Sequence, residues 1–140
     1  MRISRSLAYE HDLILVEVTI RGPRGSARPN LVLDTGAAST TILPEVLDEI
    51  GYSPRDGNKL TRVHSAIGEE HGYTLRVAEF SVLGVTTSNL VVNVFDLDHE
   101  GFDGLLGMNF LRHFNFEVRP ADQEIVIELI SGDWQAVVDD

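Results

Sequence analysis

The residues whose types and spacing come closest to a reactive centre are Asp34 and Gly36, separated by Thr35. A carboxylate can take up or deliver a proton, and a glycine two positions later permits a sharp backbone reversal. As a bare tripeptide, Asp-Thr-Gly arises by chance in on the order of a few per cent of chains this long. Its surroundings make it more specific. The apolar residues Leu31, Val32 and Leu33 precede it, Ala37-Ala38-Ser39-Thr40 follows it, and a second element, Leu105-Leu106-Gly107, lies about 70 residues downstream. The bland reading of Asp34 is a turn aspartate bonded to nearby backbone, and for Asp103-Gly104 an ordinary turn is the better reading. The histidines His11, His64, His71, His99 and His113 show no i, i+4 pair and no histidine-acid cluster, so no metal site is expected. With no cysteine, thiolate zinc sites, disulfides and a thiol nucleophile are excluded.

The elements that must position Asp34 read mostly as strands. Leu13 to Ile20 is rich in branched residues and ends in Arg21-Gly22-Pro23, which predicts a strand closed by a turn, with a loop from Pro23 to Asn30. Asn30 to Leu33 predicts a second strand running directly into Asp34. Pro44 to Gly51, with proline first, acids along it and glycine last, predicts a helix of about two turns. From Leu60 to Phe95 three strands are expected, broken at Gly68, Gly72 and Gly84. Phe102 to Gly107 predicts a strand leading into a short helix over Met108 to Phe114, and Phe116–Val118 and Glu124–Leu129 predict two closing strands.

The chain of 140 residues suits one domain, residues 1–140, and a domain near this size buries roughly two-thirds of its unfolded surface. The hydrophobic fraction of 43% and charged fraction of 24% are ordinary for a folded globular protein. A net charge of −11 disfavours nucleic acid or an anionic membrane as partner, because phosphate binding needs clustered positive charge. No apolar run approaches a membrane span, and the lack of cysteine makes a reducing, cytoplasmic location the simpler expectation.

Taken together, Val32-Leu33-Asp34-Thr35-Gly36-Ala37 and the downstream Leu105-Leu106-Gly107 resemble the retropepsin-like aspartic proteases. The resemblance covers roughly residues 12 to 130. It implies an all-β fold, a closed acid-protease β barrel with one or two short helices, active as a two-fold homodimer. It also implies an aspartic endopeptidase that needs no cofactor and takes a peptide or protein substrate. Catalysis of that kind needs two carboxylates sharing one proton, one acting as base on water while the other donates to the scissile carbonyl. This chain has a single Asp-Thr-Gly, so Asp34 would meet its mate across the dimer axis. By the same resemblance Thr35 and Gly36 support the catalytic loop, and Gly36, Ala37, Ala38, Ile67 and Gly68 line the substrate. Ile67 and Gly68 would lie near the tip of a β-hairpin flap within Arg62 to Thr74, with Gly72 as the alternative turn. One departure stands out: the ion pair that viral members form between these loops is absent, its positions being Ala38 and Met108. The alternative reading is a catalytically idle dimeric module that binds peptide or supports assembly.

Overall fold

The computed structural model describes all residues except 1, 7, 11–12, 58, 66–67, 98–100, 130–135 and 139–140. For 9–10, 59–65, 68–71, 129 and 136–138 it describes the backbone alone. Period-two burial explains the strands. The third of them buries Val16, Val18 and Ile20 on one face and turns Glu17 and Arg21 to solvent. In chain order the strands are β1 (Arg2–Ser6), β2 (Ala8–Glu10), β3 (Leu13–Gly22), β4 (Gly25–Ala27), β5 (Asn30–Leu33), β6 (Thr41–Ile42), β7 (Lys59–Ser65) and β8 (Gly68–Val82). They continue with β9 (Val85–Val94), β10 (Gly104–Leu106), β11 (Phe114–Arg119), β12 (Glu124–Leu129) and β13 (Ala136–Val138). Two short helices, α1 (Pro44–Glu49) and α2 (Met108–Leu111), and a 3-10 turn at Pro54–Asp56 complete the set.

Six strands close on themselves. The pairing runs β9, β6, β10, β5, β3, β8 and back to β9, which is the closed barrel expected from the sequence. Closure satisfies backbone groups that an open sheet would leave along its edges. The pairs β5–β10 and β6–β9 are parallel and the others antiparallel. Outside the ring, β7 extends β8, β13 pairs with β9, and β2 and β4 pair with β3. A separate sheet in the order β1, β12, β11 packs Ile3, Ile125 and Ile127 into the same core cluster as the barrel. Phe110 is fully buried in that cluster, its ring 5.7 Å from Phe80 and 5.1 Å from Phe114.

Two glycine readings fared differently. Gly84 does mark a break: Leu83 and Gly84 have φ of 56° and 81°, the double positive φ of a tight hairpin turn between β8 and β9. Gly72 breaks nothing, since β8 runs unbroken from Gly68 to Val82 and Gly72 pairs with Thr61 of β7. A glycine lacks a side chain but keeps its ladder hydrogen bonds, and pairing on β7 holds the strand together. The expected loop from Pro23 to Asn30 also contains β4, folded back on β3 with Gly22 opposite Gly25. Farther along, the β8–β9 ladder is interrupted between Ala78 and Asn89, where Asn89 has φ of 61°. The Ala78 N–H donates instead to the Tyr52 hydroxyl at 2.9 Å, so the donor freed by the interruption keeps a partner.

Phe110 joins the barrel to the three-stranded sheet. Phe110→Ala is expected to lower stability by about 3–5 kcal/mol, the usual cost of emptying an aromatic site in a core. Urea unfolding read by circular dichroism would show the midpoint fall.

Candidate active site

The strand β5 lies between β3 and β10, and this sandwich sets the position of Asp34. In the parallel register Leu31 faces Gly104, Val32 faces Leu105 and Leu33 faces Leu106. Asp34 continues the ladder one step beyond the strand, its N–H donating to the Leu106 carbonyl at 3.0 Å. The chain then reverses. Gly36 N–H donates to Asp34 Oδ1 at 2.9 Å, and Ala37 N–H donates to the Asp34 carbonyl at 3.2 Å. A Cβ at Gly36 would sit 3.2 Å from Asp34 Oδ1, so the missing side chain keeps this approach open. Asp34 therefore does bond its own turn, as the bland reading has it. Its Oδ2 accepts no hydrogen bond from the described residues, and the side chain is half-buried rather than solvated freely.

The downstream element meets the loop, as the resemblance implies. Met108 N–H donates to the Ala37 carbonyl at 2.8 Å and Asn109 N–H to the Ala38 carbonyl at 3.0 Å. These are N-terminal amides of α2, which have no acceptor inside their own helix. Gly107 is sterically required, because a Cβ there would lie 2.5 Å from the Ser39 carbonyl carbon and oxygen. Gly104 is tighter still: its Cβ would fall 2.0 Å from the Thr41 carbonyl oxygen. Asp103 has a structural part, its Oδ2 accepting the Asn30 N–H at 3.0 Å and so tying the start of β5 to the start of β10.

The sequence reading missed Thr40 and Asn109. Asn109 Oδ1 accepts both the N–H and the hydroxyl of Thr40, each at 2.8 Å, while its Nδ2 donates to the Val91 carbonyl at 2.7 Å. The Thr40 hydroxyl also accepts the Gly107 N–H at 3.1 Å, and the Thr40 carbonyl accepts the Asn93 N–H at 2.8 Å. Thr40 is fully buried. Where the ion pair is absent at Ala38 and Met108, this uncharged network joins the Asp34 loop, α2 and β9. The only hint in the sequence is that Thr40 follows the motif and Asn109 follows Gly107.

A second apolar group lies outside the main core cluster. Leu15 of β3, Val32 of β5 and Leu105 of β10 stand in register across three strands. Leu15 and Val32 are 8% and 7% exposed, and Leu105 is half-buried. Val32 precedes Asp34 by two residues, on the same strand face. The structure thus gathers Asp34, Thr35, Gly36, Ala37 and Ala38 on one loop, with Thr35, Gly36 and Ala38 exposed. Ile67 lies outside the described residues. Gly68 pairs with Ser65 at the far end of the β7–β8 hairpin, and no hydrogen bond among the described residues joins it to the Asp34 loop. Among the described residues no group of histidine and acidic side chains could hold a metal ion. His113 is held below the usual histidine pKa, first by burial and then by the charge of Arg112.

Removing Asn109 would strand two donors of Thr40 and the Val91 carbonyl in the interior. Asn109→Ala is therefore expected to cost about 2–4 kcal/mol in urea unfolding, with Asn109→Asp, which keeps the acceptor for Thr40, falling between it and wild type.

A profile of the family described as Aspartyl protease matches residues 16–110. No curated protein matches the chain. Among solved structures, the crystal structure of a retropepsin-like aspartic protease from Rickettsia conorii aligns with a TM-score of 0.69 and 17% identity, covering 91% of each chain. That likeness is one of fold, and it agrees with the closed six-stranded barrel and the few short helices. The match to the family profile spans well over half the chain, and it includes both the Asp34 loop and the strand that supports it; the chain belongs to the aspartyl protease family.

Proposed function

We propose that this protein is an aspartic endopeptidase whose active unit is a homodimer, with one Asp34 carboxylate from each protomer. The observation that carries this reading is the holding of Asp34: one oxygen is fixed by the Gly36 N–H while the other is left to act. A single chain supplies one such group, since Asp-Thr-Gly occurs once. Two carboxylates brought together cannot both ionise easily, so the pair keeps one proton. The ionised member takes a proton from water as that water attacks the scissile carbonyl. The protonated member donates to the carbonyl oxygen. Collapse of the tetrahedral intermediate then breaks the C–N bond, with a proton passed to the leaving amine.

The remaining parts take roles consistent with this chemistry. Thr35, exposed beside Asp34, would bond across the two-fold axis and lock the two loops. Gly36, Ala37 and Ala38 would face an extended peptide, whose backbone groups pair as an added strand would. The strip from Val32 to Leu105 offers that peptide an apolar contact beside the reacting bond. The β7–β8 hairpin would act as the flap that closes over substrate and excludes water, with Ile67 and Gly68 as its proposed contacts to the peptide.

Asp34→Asn keeps the shape of the loop but removes the group that accepts the proton. Cleavage of a broad peptide library should fall by at least roughly 10²- to 10⁴-fold, while size exclusion with light scattering still reports about twice the chain mass of 15.5 kDa. Wild-type activity should be best at acidic to near-neutral pH and fall at high pH as the shared proton is lost. Undiminished cleavage by the mutant would remove Asp34 from the mechanism, and a strictly monomeric active enzyme would remove the dimer. No cleavage by either protein would favour a catalytically idle peptide-binding or assembly module.

A further inference from the structure

The sheet face that carries the apolar strip continues past it into a second, polar row. Between β3 and β5, Glu17 stands opposite Asn30 just as Leu15 stands opposite Val32. Side chains alternate along a strand, so Glu17 and Asn30 face the same way as Leu15 and Val32. On the other side of β5, Asp103 Oδ2 accepts the Asn30 N–H at 3.0 Å. Two carboxylates therefore flank Asn30, one from β3 and one from the start of β10. A rise of roughly 3.3 Å per residue puts this row about 7 Å beyond the strip and about 13 Å from Asp34 along β5.

The far edge of β3 opens beside the same row. There β2 pairs with Leu13 to Leu15 and β8 with Val18 to Arg21, so Val16 and Glu17 belong to neither ladder. A cavity of about 510 Å³ lies at this change of partner, lined by Leu15, Glu17 and Asn30 from the sheet and by Arg5, Leu83 and Gly84 around them. Its two charges are held differently. Arg5 donates to the Ser4 carbonyl at 3.1 Å and lies over Gly84, where a Cβ would come within 2.6 Å of the guanidinium. Glu17 is exposed, and among the described residues it has no ion pair and no side-chain hydrogen bond. Asp103 likewise has no ion pair among the described residues.

We propose that this row selects peptides carrying a basic side chain within a few residues of the apolar one, with Glu17 as the specificity-determining residue. A lysine or arginine fits the order of the surface: its apolar stem lies along Leu15 while its cation reaches the Glu17 carboxylate and the Asn30 side-chain carbonyl. An acidic side chain would meet two like charges and is selected against. The inference rests on the reading of the apolar strip as the place where a peptide lies beside Asp34.

Peptide binding by Asp34→Asn, read by fluorescence anisotropy, tests the preference without cleavage. The probes are fluorescein-labelled dodecapeptides with Leu-Leu at the centre and either lysine or norleucine at each other position in turn. At the position that reaches the row, the lysine peptide should bind about three- to tenfold tighter than its norleucine counterpart at low salt, and the ratio should shrink at high salt. Adding Glu17→Gln should bring the ratio close to one, and adding Glu17→Lys should take it below one. A merely structural role for Glu17 would change both peptides alike and leave the ratio as it was. The same ratio in all three proteins overturns the proposal, as does the absence of any lysine-preferring position or of any binding. Cleavage by the wild type decides the other reading separately. A protein that binds lysine peptides through Glu17 but cuts none would sink the protease and keep the row, whereas cutting with no dependence on Glu17 would keep the protease and lose the row.

Discussion

The parallel pairing of β5 with β10 is the contact on which the rest of the structure depends. It sets Leu33 opposite Leu106 and then takes Asp34 N–H onto the Leu106 carbonyl, so the carboxylate is placed by the same ladder that closes the barrel. Parallel strands need a long connection between them, and here that connection contains α1, the 3-10 turn and strands β6 to β9. Nearly the whole chain between Asp34 and Leu106 therefore serves to return β10 to the side of β5. The position of the Asp34 carboxylate becomes as well determined as the fold itself.

Close backbone approach makes that pairing possible and limits what can be substituted. Gly104 and Gly107 flank Leu105 and Leu106, and a Cβ at either would enter the backbone of the segment from Ser39 to Thr41. The same segment sends its Thr40 side chain to Asn109 and Gly107. Such a network is stable only when every member is satisfied, and here Thr40 N–H, its hydroxyl and its carbonyl all have partners. An uncharged network of this kind holds the loop without placing a fixed charge beside Asp34.

Much of this was legible in residue order. The strands Asn30–Leu33 and Glu124–Leu129 match their expected bounds, the first because a short apolar run leads straight into the Asp34 turn and the second because apolar alternation follows a turn. The first strand, the helix at Pro44 and the strand-to-helix step around Gly107 also stand where expected. The short strands β1, β2, β4 and β6 were not legible, since two to five residues are too few to show a period and their stability comes from partners far along the chain. Gly72 misled because composition marks where a chain could turn, while pairing with Thr61 decides that it does not. Within the site, Asp34 and Gly107 were readable from their motifs and the resemblance those motifs carry. Thr40 and Asn109 meet only after β10 has found β5, and nothing local to either residue announces the bond.

In the proposed mechanism two Asp34 side chains act as one pair. The most direct measurement is a crystal structure of the assembled protein with a peptide-like inhibitor, read for the separation of those carboxylates across a two-fold axis. Oxygens within hydrogen-bonding reach, about 2.6–3.2 Å, with the inhibitor spanning both loops, are the expected result. Carboxylates held many ångströms apart, or an assembly in which each Asp34 faces solvent alone, would contradict it.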